Sequence, residues 1–286
     1  MTVLFNFKSH THIMGIINVT PDSFSGDGLY ACTSIDSALK QTELFVKTGC
    51  HILDIGGEST RPGATPVSLQ EELDRVIPII EAIHQNFDIP ISIDTTKAIV
   101  ADEALKHGAC IINDVSGLLL DAQMVHVAAT HQCYIIIMHS FNASTVEKTR
   151  LGGRYIKKDI DDSEDIIVCI YRDLDKQVLF ALENGVDPSK IILDPGIGFG
   201  KTVEQNIEIM ARFHEIPKLR YPILLGASRK SFIGYTVNAP VNERLGGSLA
   251  ALTIGIMKGA QIVRVHDVEE SVQAAKLVDA IMKQQH

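Results

Sequence analysis

The feature that most constrains the fold is a series of eight short apolar segments, each followed by a polar or glycine-rich cluster. The segments are residues 13–19, 52–55, 91–94, 111–115, 134–139, 191–194, 222–226 and 262–266. Their nearly continuous Ile, Val and Leu content, without strict alternation, is typical of parallel strands that are buried on both faces. Amphipathic segments with helical spacing separate them, so the pattern predicts eight β/α units.

Eight β/α units in 286 residues predict a single (β/α)8 TIM barrel, for which roughly 250 residues are typical. A doubly wound α/β sheet is the alternative, although such a sheet seldom needs eight strands. Because no linker, low-complexity tract or charge block divides the chain, we expect residues 1–286 to form one domain. The site of a barrel enzyme lies at the carboxyl ends of its strands.

Three turns that lead from a helix into a strand share one plan, in which a glycine precedes the apolar segment. These glycines are Gly49, Gly108 and Gly259. Each is predicted to take the left-handed conformation that ends a helix. The sequence also predicts two capping boxes at helix starts: Ser68 with Glu71, and Asp267 with Glu270.

Composition narrows the possible partners and the compartment. The chain has 35 acidic against 26 basic residues and a net charge of −9, which argues against nucleic acid or an anionic membrane as its main partner. The five cysteines show no Cys-x-x-Cys spacing and mostly lie in apolar segments, as expected of thiols in the cytoplasm. No signal peptide is evident, and no apolar stretch reaches the ~18 residues of a membrane span.

Residues 194–202 read DPGIGFGKT and invite comparison with a phosphate-binding loop. The spacing excludes that loop, because Pro195 stands where its first glycine is needed. A glycine-rich turn whose backbone approaches a flat ligand beside Asp194 is the simpler interpretation.

Two other kinds of site receive little support. The histidines lack the spacing of a structural metal site. Glu58 and Asp194 could form a glycosidase pair, but the chain has no Trp and only 6 Tyr to stack on a sugar ring.

Arg264 and His266 favour a phosphate site at the end of the last strand. Residues two apart on a strand face the same side, and the helix that starts after Asp267 adds backbone N–H groups. Barrels often bind phosphate through the loops after strands seven and eight. A simple ion pair between Arg264 and one of the surplus carboxylates is the alternative.

Seven motifs, in one order and over nearly the whole chain, resemble those of the dihydropteroate synthases. They are residues 14–25 (MGIINVTPDSFS), 54–63 (DIGGESTRPG), 92–95 (SIDT), 112–117 (INDVSG), 193–196 (LDPG), 228–232 (SRKSF) and 264–268 (RVHDV). The family is a pterin-binding (β/α)8 barrel. The resemblance implies that the chain condenses 6-hydroxymethyl-7,8-dihydropterin diphosphate with p-aminobenzoate and releases pyrophosphate. It also implies a dissociative mechanism, in which the diphosphate leaves before the arylamine attacks a pterin cation.

The resemblance implies three groups of site residues. The pterin would be bound by Asp94, Asn113, Val115, Met138, Asp194, Phe199, Gly226 and Lys230, of which Asp94, Asp194 and Lys230 are also the catalytic set. The diphosphate would be bound by Asn18, Arg61, Arg264 and His266, with Asn18 also contacting Mg²⁺. The p-aminobenzoate would be bound by Phe24, Thr60, Arg61, Pro62, Phe199 and Ser231. Chemically, carboxylates and an amide match the N–H donors of a pterin edge, and a lysine matches its acceptors.

Two rival functions stay open at this stage. A methyltetrahydrofolate-dependent methyltransferase would share Asp94, Asn113 and Asp194, but it would not need Arg264-x-His266 or the first motif. A catalytically silent pterin-binding paralogue is the second rival, and the intact motifs at residues 18–25 and 56–63 argue against it.

The resemblance leads to three further expectations. Apolar faces in residues 249–257 and 268–282 would pair two copies into a homodimer. Sulfonamides, which imitate p-aminobenzoate, would inhibit competitively. Residues 140–162 depart from the common pattern, and we expect a long, solvated, basic loop near the pterin site.

Overall fold

Eight parallel strands form the centre of the computed structural model, which describes residues 5–7, 9–19, 34–59, 66–141 and 164–284. They are β1 (His12–Asn18), β2 (Ile52–Gly56), β3 (Ile91–Asp94), β4 (Ile111–Asp114), β5 (Tyr134–Met138), β6 (Ile191–Asp194), β7 (Leu224–Leu225) and β8 (Ile262–Val265). Hydrogen-bonded neighbours follow the order β6-β5-β4-β3-β2-β1-β8-β7. A parallel bridge between Leu193 and Ile223 brings the two edges together. The predicted (β/α)8 barrel is therefore confirmed, and the open sheet is excluded.

Helices follow the strands around the outside of the barrel. In the described part of the chain they are α1 (Ile35–Thr48), α2 (Leu69–Asn86), α3 (Ala98–Lys106), α4 (Met124–His131), α5 (Ile166–Glu183), α6 (Val203–Ala211), α7 (Ser231–Val237), α8 (Leu245–Met257) and α9 (Val268–Met282). None of these helices is both long and apolar enough to cross a membrane.

The register between strands sets which polar side chains become neighbours. Asp94 at the end of β3 pairs with Gly56 of β2 on one side and with Asn113 of β4 on the other. Across the barrel, Met138 of β5 pairs with Asp194 of β6. Residues paired in this way are direct neighbours across the sheet, so the strand ends gather their polar residues into one polar level at the carboxyl end of the barrel.

The apolar core has two layers, because alternate residues of a strand point to opposite faces. One cluster includes Met14, Tyr134 and Ile136, and it fills the barrel interior. A larger cluster includes Ile135 and Ile137 and packs the strands against the helices. Phe5 joins the inner cluster, with its ring centroid 5.1 Å from that of Tyr134. The interior therefore ends in packed side chains below the polar level.

The three predicted helix-ending glycines all have positive φ: Gly49 at 99°, Gly108 at 117° and Gly259 at 104°. The predicted capping box of Ser68 with Glu71 forms only in part. Ser68 caps α2 by accepting from the Glu71 backbone N–H, but the Glu71 carboxylate pairs with Arg75 instead of closing the box. Complete boxes occur where none was predicted, at Ser34 with Ser37 and at Thr202 with Gln205.

Candidate active site

Three buried polar residues form the floor of a site at the carboxyl ends of β2, β3 and β4. They are Asp54, Asp94 and Asn113. Asn113 Nδ2 donates to Asp54 Oδ2 at 3.1 Å. The Oδ1 atoms of Asp54 and Asp94 are buried and have no hydrogen-bond partner among the described residues. Since buried polar atoms are normally paired, these two oxygens are suited to accept from the donors of a bound ligand.

Arg264 reaches this floor from β8. Its Nε donates to Asp54 Oδ2 at 2.6 Å, and its Nη2 donates to Asp94 Oδ2 at 2.7 Å. Arg264, which is predicted to bind the diphosphate, therefore contacts Asp94, which is predicted to bind the pterin, as well as Asp54. Asp54 begins the second motif, residues 54–63, but none of the three predicted groups of site residues includes it. Its interior position on the strand is the signal that could have given it a role.

Burial dominates the protonation of these groups. Loss of hydration raises the pKa of Asp94 to about 7, although the Arg264 guanidinium beside it acts in the opposite direction. Burial also raises the pKa of Asp194, against the attraction of Lys230. The same loss of hydration lowers the pKa of Lys230 to about 8, with Asp194 opposing the shift. The site thus holds groups that can gain or lose a proton near neutral pH.

Asp194 and Lys230 meet on the opposite side of the barrel, beside Gly226. A Cβ atom built on Gly226 would lie 3.8 Å from Asp194 Oδ2 and 3.9 Å from Lys230 Nζ. Asp194 Oδ1 accepts from the backbone N–H of Gly196 at 2.7 Å, which fixes the carboxylate. The small residue at the end of β7 therefore leaves room between two charged groups for a flat ligand.

Phe199 lies beside the lysine, in the glycine-rich turn after β6. Lys230 Nζ is 4.4 Å from the centre of the Phe199 ring and donates to the Ile197 carbonyl of the same turn. The turn therefore faces Lys230 with its backbone and one aromatic ring.

The remaining predicted pterin residues complete the wall. Met138 is buried at the end of β5, next to Asp194 in the ladder. Val115 is half-buried and directly follows β4. The described structure thus gathers the strand ends that carry the eight predicted pterin residues.

The predicted diphosphate side is more open. Asn18 ends β1 and is half-buried. His266 is half-buried after β8; its Nδ1 lies 3.1 Å from Ser228 Oγ, and its backbone N–H donates to that oxygen at 3.2 Å. No group of three or more His, Cys, Asp or Glu suited to a metal occurs in the described ranges. A carboxamide oxygen such as that of Asn18 nevertheless fits Mg²⁺, which takes few protein ligands when substrate phosphates supply the others.

Arg229 changes the expected start of α9. Its Nε donates to Asp267 Oδ2 at 2.9 Å, and its Nη2 pairs with the other carboxylate oxygen. The predicted capping box of Asp267 with Glu270 is therefore wrong, because the Asp267 side chain pairs with the arginine and makes no cap hydrogen bond. The buried ion pair ties the segment after β7 to the start of α9.

Glu58, considered above as half of a glycosidase pair, is held by a lysine. Lys97 Nζ lies 2.5 Å from Glu58 Oε2 and also pairs with Glu72, which is buried. The Glu58 carboxylate is therefore engaged in an ion pair with a lysine. The geometry disfavours the glycosidase interpretation.

Phe24, Thr60, Arg61, Pro62 and most of the predicted long loop, its residues 142–162, lie outside the described residues. Ser231 is described: it is exposed and begins α7.

Comparison with known proteins agrees with this geometry. Residues 14–266 match the family model described as "Pterin binding enzyme". A dihydropteroate synthase of Clostridium beijerinckii is 46% identical over 280 residues, covering 98% of this chain and 97% of that protein.

Solved structures give the same result. The crystal structure of a dihydropteroate synthase from Clostridium difficile in the presence of pteroic acid has a TM-score of 0.86 and 44% identity, covering 97% of this chain and 98% of that one. The Yersinia pestis enzyme in a sulfonamide drug complex has a TM-score of 0.88 and 38% identity, covering 98% and 96%.

Proposed function

The chain belongs to the pterin-binding enzyme family, among its dihydropteroate synthases, and from this premise we propose how its residues share the reaction. The enzyme condenses 6-hydroxymethyl-7,8-dihydropterin diphosphate with p-aminobenzoate, giving 7,8-dihydropteroate and pyrophosphate. The observation that carries the proposed roles is the convergence of Asp94, Asn113, Asp194 and Lys230 on one level of the barrel.

The pterin edge is bound by the two ends of this polar level. Asp94 keeps one oxygen unpaired toward the ligand, and the Asn113 carboxamide lies beside it in the ladder. On the other side, Asp194 accepts N–H groups of the pterin while Lys230 donates to its acceptors. Val115, Met138, Phe199 and Gly226 supply the apolar walls. A ring without matching donors would leave buried carboxylates unpaired and would be rejected.

Arg264 has two tasks in this scheme. Its guanidinium holds Asp94 and Asp54 in place beneath the pterin, as the two short contacts indicate. Its positive charge also attracts the diphosphate at the mouth of the site. We place Asn18, Arg61 and His266 on the same anion, with Ser228 orienting the His266 ring.

The reaction proceeds by departure of the diphosphate before attack by the arylamine. Mg²⁺, held by Asn18 and by the diphosphate itself, would neutralise charge on the leaving group. Arg264 and His266 stabilise the same developing anion. The carboxylates of Asp94 and Asp194 lie at the pterin and offset the positive charge left on it. A neutral arylamine then attacks without needing a strong base.

We place p-aminobenzoate between the segments of the first two motifs, residues 14–25 and 54–63, and the start of α7. The residues proposed for it are Phe24, Thr60, Arg61, Pro62, Phe199 and Ser231. Of the last two, which the structure describes, Phe199 faces the pterin lysine and Ser231 directly follows it in the chain. The amine would thus enter from the open side of the pterin.

We propose a homodimer formed through the last barrel helices. Ile254 and Met257 of α8, Leu277 and Ile281 of α9, and Tyr235 of α7 are all exposed apolar side chains. Light scattering at micromolar concentration is expected to give twice the chain mass, and a monomer would contradict the proposal.

We also propose a cytoplasmic enzyme, since the four described cysteines, Cys50, Cys110, Cys133 and Cys169, are free thiols.

Pyrophosphate release tests the activity directly. Purified protein with both substrates and Mg²⁺ is expected to release pyrophosphate and form dihydropteroate. Omitting p-aminobenzoate is the control for simple hydrolysis of the pterin diphosphate. No release with both substrates would refute the enzyme and favour a silent pterin-binding protein. Methyl transfer from methyltetrahydrofolate would favour the other rival.

A further inference from the structure

Lys201 is a buried lysine to which the roles above give no task. The residue is only 9% exposed. Its Nζ donates to three backbone carbonyls, those of His139 at 3.2 Å, Gly196 at 2.8 Å and Phe199 at 3.2 Å. Within the described residues, Asp194 and Asp173 attract this ammonium electrostatically, but neither carboxylate forms a hydrogen bond with it. Backbone oxygens therefore provide its coordination.

The glycine-rich turn after β6 closes around this ammonium. Gly196 has φ of +68°, and a Cβ built there would lie 1.8 Å from the His139 carbonyl oxygen and 3.2 Å from Lys201 Nζ. Three carbonyl oxygens that converge in a buried place repel one another unless a cation lies among them. The turn that resembles a phosphate loop thus encloses its own lysine.

The outer side of the same turn carries groups proposed to bind the pterin. The Ile197 carbonyl accepts from Lys230, and the Phe199 ring lies 4.4 Å from Lys230 Nζ. The Gly196 N–H holds the Asp194 carboxylate. Residues 196–199 therefore contact Lys201 on one side and the pterin-binding groups on the other.

We propose that Lys201 is a positioning residue for the pterin site. Its ammonium links the turn of residues 196–199 to the end of β5. The turn then fixes the positions of the Phe199 ring and the Lys230 ammonium. The inference rests on the proposed role of Lys230 in pterin binding. Lys201 itself acts through the turn and does not contact the substrate.

Burial is consistent with this role and gives it a pH dependence. Loss of hydration lowers the pKa of Lys201 to about 7, while Asp194 and Asp173 oppose the shift and Lys230 adds to it. As the pH rises through this value, the ammonium loses a proton and one of its three donors. The turn then loosens, so from about pH 7 upward the wild type is expected to lose the advantage in pterin affinity that it holds over a variant without this ammonium, in which Asp94 still titrates near pH 7.

Two variants and a matched control test the proposal. Lys201→Ala removes the ammonium and leaves space for it, and Lys201→Met keeps most of the bulk without charge. Lys258→Ala is the control, because Lys258 also donates to backbone carbonyls, those of Met210 and Ala211, but at the end of α6. Calorimetry with 6-hydroxymethyl-7,8-dihydropterin measures affinity, and circular dichroism measures folding. We expect both Lys201 variants to lose affinity on the order of tenfold to a hundredfold, and the control to be unchanged.

Chemical rescue separates positioning from simple packing. Propylammonium has the atoms that Lys201→Ala removes, and it is expected to restore pterin affinity at least about threefold, whereas propanol of the same size is not. Wild-type affinity in either Lys201 variant, a loss that propylammonium leaves unchanged, or failure of both variants to fold would overturn the proposal. Lys230→Ala is measured alongside: full affinity in that variant would refute the proposed pterin site itself, independently of Lys201.

Discussion

Arg264 on the eighth strand lies against Asp94 on the third, with Nη2 only 2.7 Å from the carboxylate Oδ2. The same guanidinium contacts Asp54 through Nε at 2.6 Å. Burial raises the pKa of Asp94 to about 7 even though this cation opposes the shift. The arginine therefore helps to decide whether the pterin meets an ionised carboxylate or a protonated one.

Arg264→Ala tests this coupling. Without the cation, the pKa of Asp94 should rise further above 7, so less of the carboxyl is ionised at neutral pH. Affinity for the bare pterin alcohol should fall about tenfold near pH 7 and recover in part as the pH is raised. The role that the resemblance implies for Arg264, binding of the diphosphate, predicts instead that only affinity for the diphosphate substrate falls. Calorimetry with the bare pterin at several pH values distinguishes these two predictions. Unchanged affinity for the bare pterin would show that Arg264 binds only the diphosphate.

Asp194→Asn and Lys230→Ala should each remove most turnover. Each leaves a buried pterin group without its partner, at a cost of about 1–3 kcal/mol, or roughly fivefold to more than a hundredfold in kcat/KM. Lys176→Ala, on the exposed face of α5, is the control for removing a lysine. Steady-state assays with both substrates measure the effect. Normal kcat/KM in Lys230→Ala would remove the lysine from the site.

The sequence predicted the barrel well because a local pattern determines it. The segment 91–94 and the segment 191–194 coincide with β3 and β6, and the helix-ending glycines need only a positive φ. Long-range partners could not be predicted in the same way. Asp267 looked like a helix cap because no local feature shows that Arg229 takes its carboxylate. The contact of Arg264 with Asp94 joins residues 170 positions apart and exists only when the barrel closes.

The amino-terminal end of the barrel should be sensitive to acid. His12 is buried beside His10 and His51, and burial lowers its pKa from 6.5 to about 4. The unfolded chain binds a proton below about pH 6.5 while the folded protein does not until about pH 4, so stability is lost across this window. The loss is on the order of 1–3 kcal/mol for His12. Urea unfolding at pH 4 and pH 6.5 measures the free energy of unfolding of the wild type and of His12→Gln. An equal pH dependence of this free energy in both proteins would contradict the prediction.

Two glycine substitutions should have opposite effects. Gly196→Ala requires a strained positive φ and places a Cβ 1.8 Å from the His139 carbonyl oxygen, so the turn must open and pterin affinity should be lost. Gly246 lies in α8 with nothing within 4 Å of its Cβ position. Gly246→Ala should therefore stabilise the protein by about 0.5–1 kcal/mol and leave turnover unchanged. Thermal unfolding and pterin calorimetry on both variants test the pair, and a Gly196→Ala enzyme with normal affinity would show that the turn can move without consequence.

Binding of p-aminobenzoate should depend on prior occupation of the pterin site. The proposed contacts come from the motifs at residues 14–25 and 54–63 and from Phe199, whose ring lies beside Lys230, so p-aminobenzoate would pack against a pterin site that is already filled. Calorimetry should therefore detect p-aminobenzoate only when pterin and pyrophosphate are both present. A sulfonamide that imitates the amine should follow the same order and compete with it, raising KM for p-aminobenzoate while kcat stays constant. Tight binding of p-aminobenzoate to the empty enzyme would refute the order, and inhibition that excess p-aminobenzoate cannot relieve would place the sulfonamide at another site.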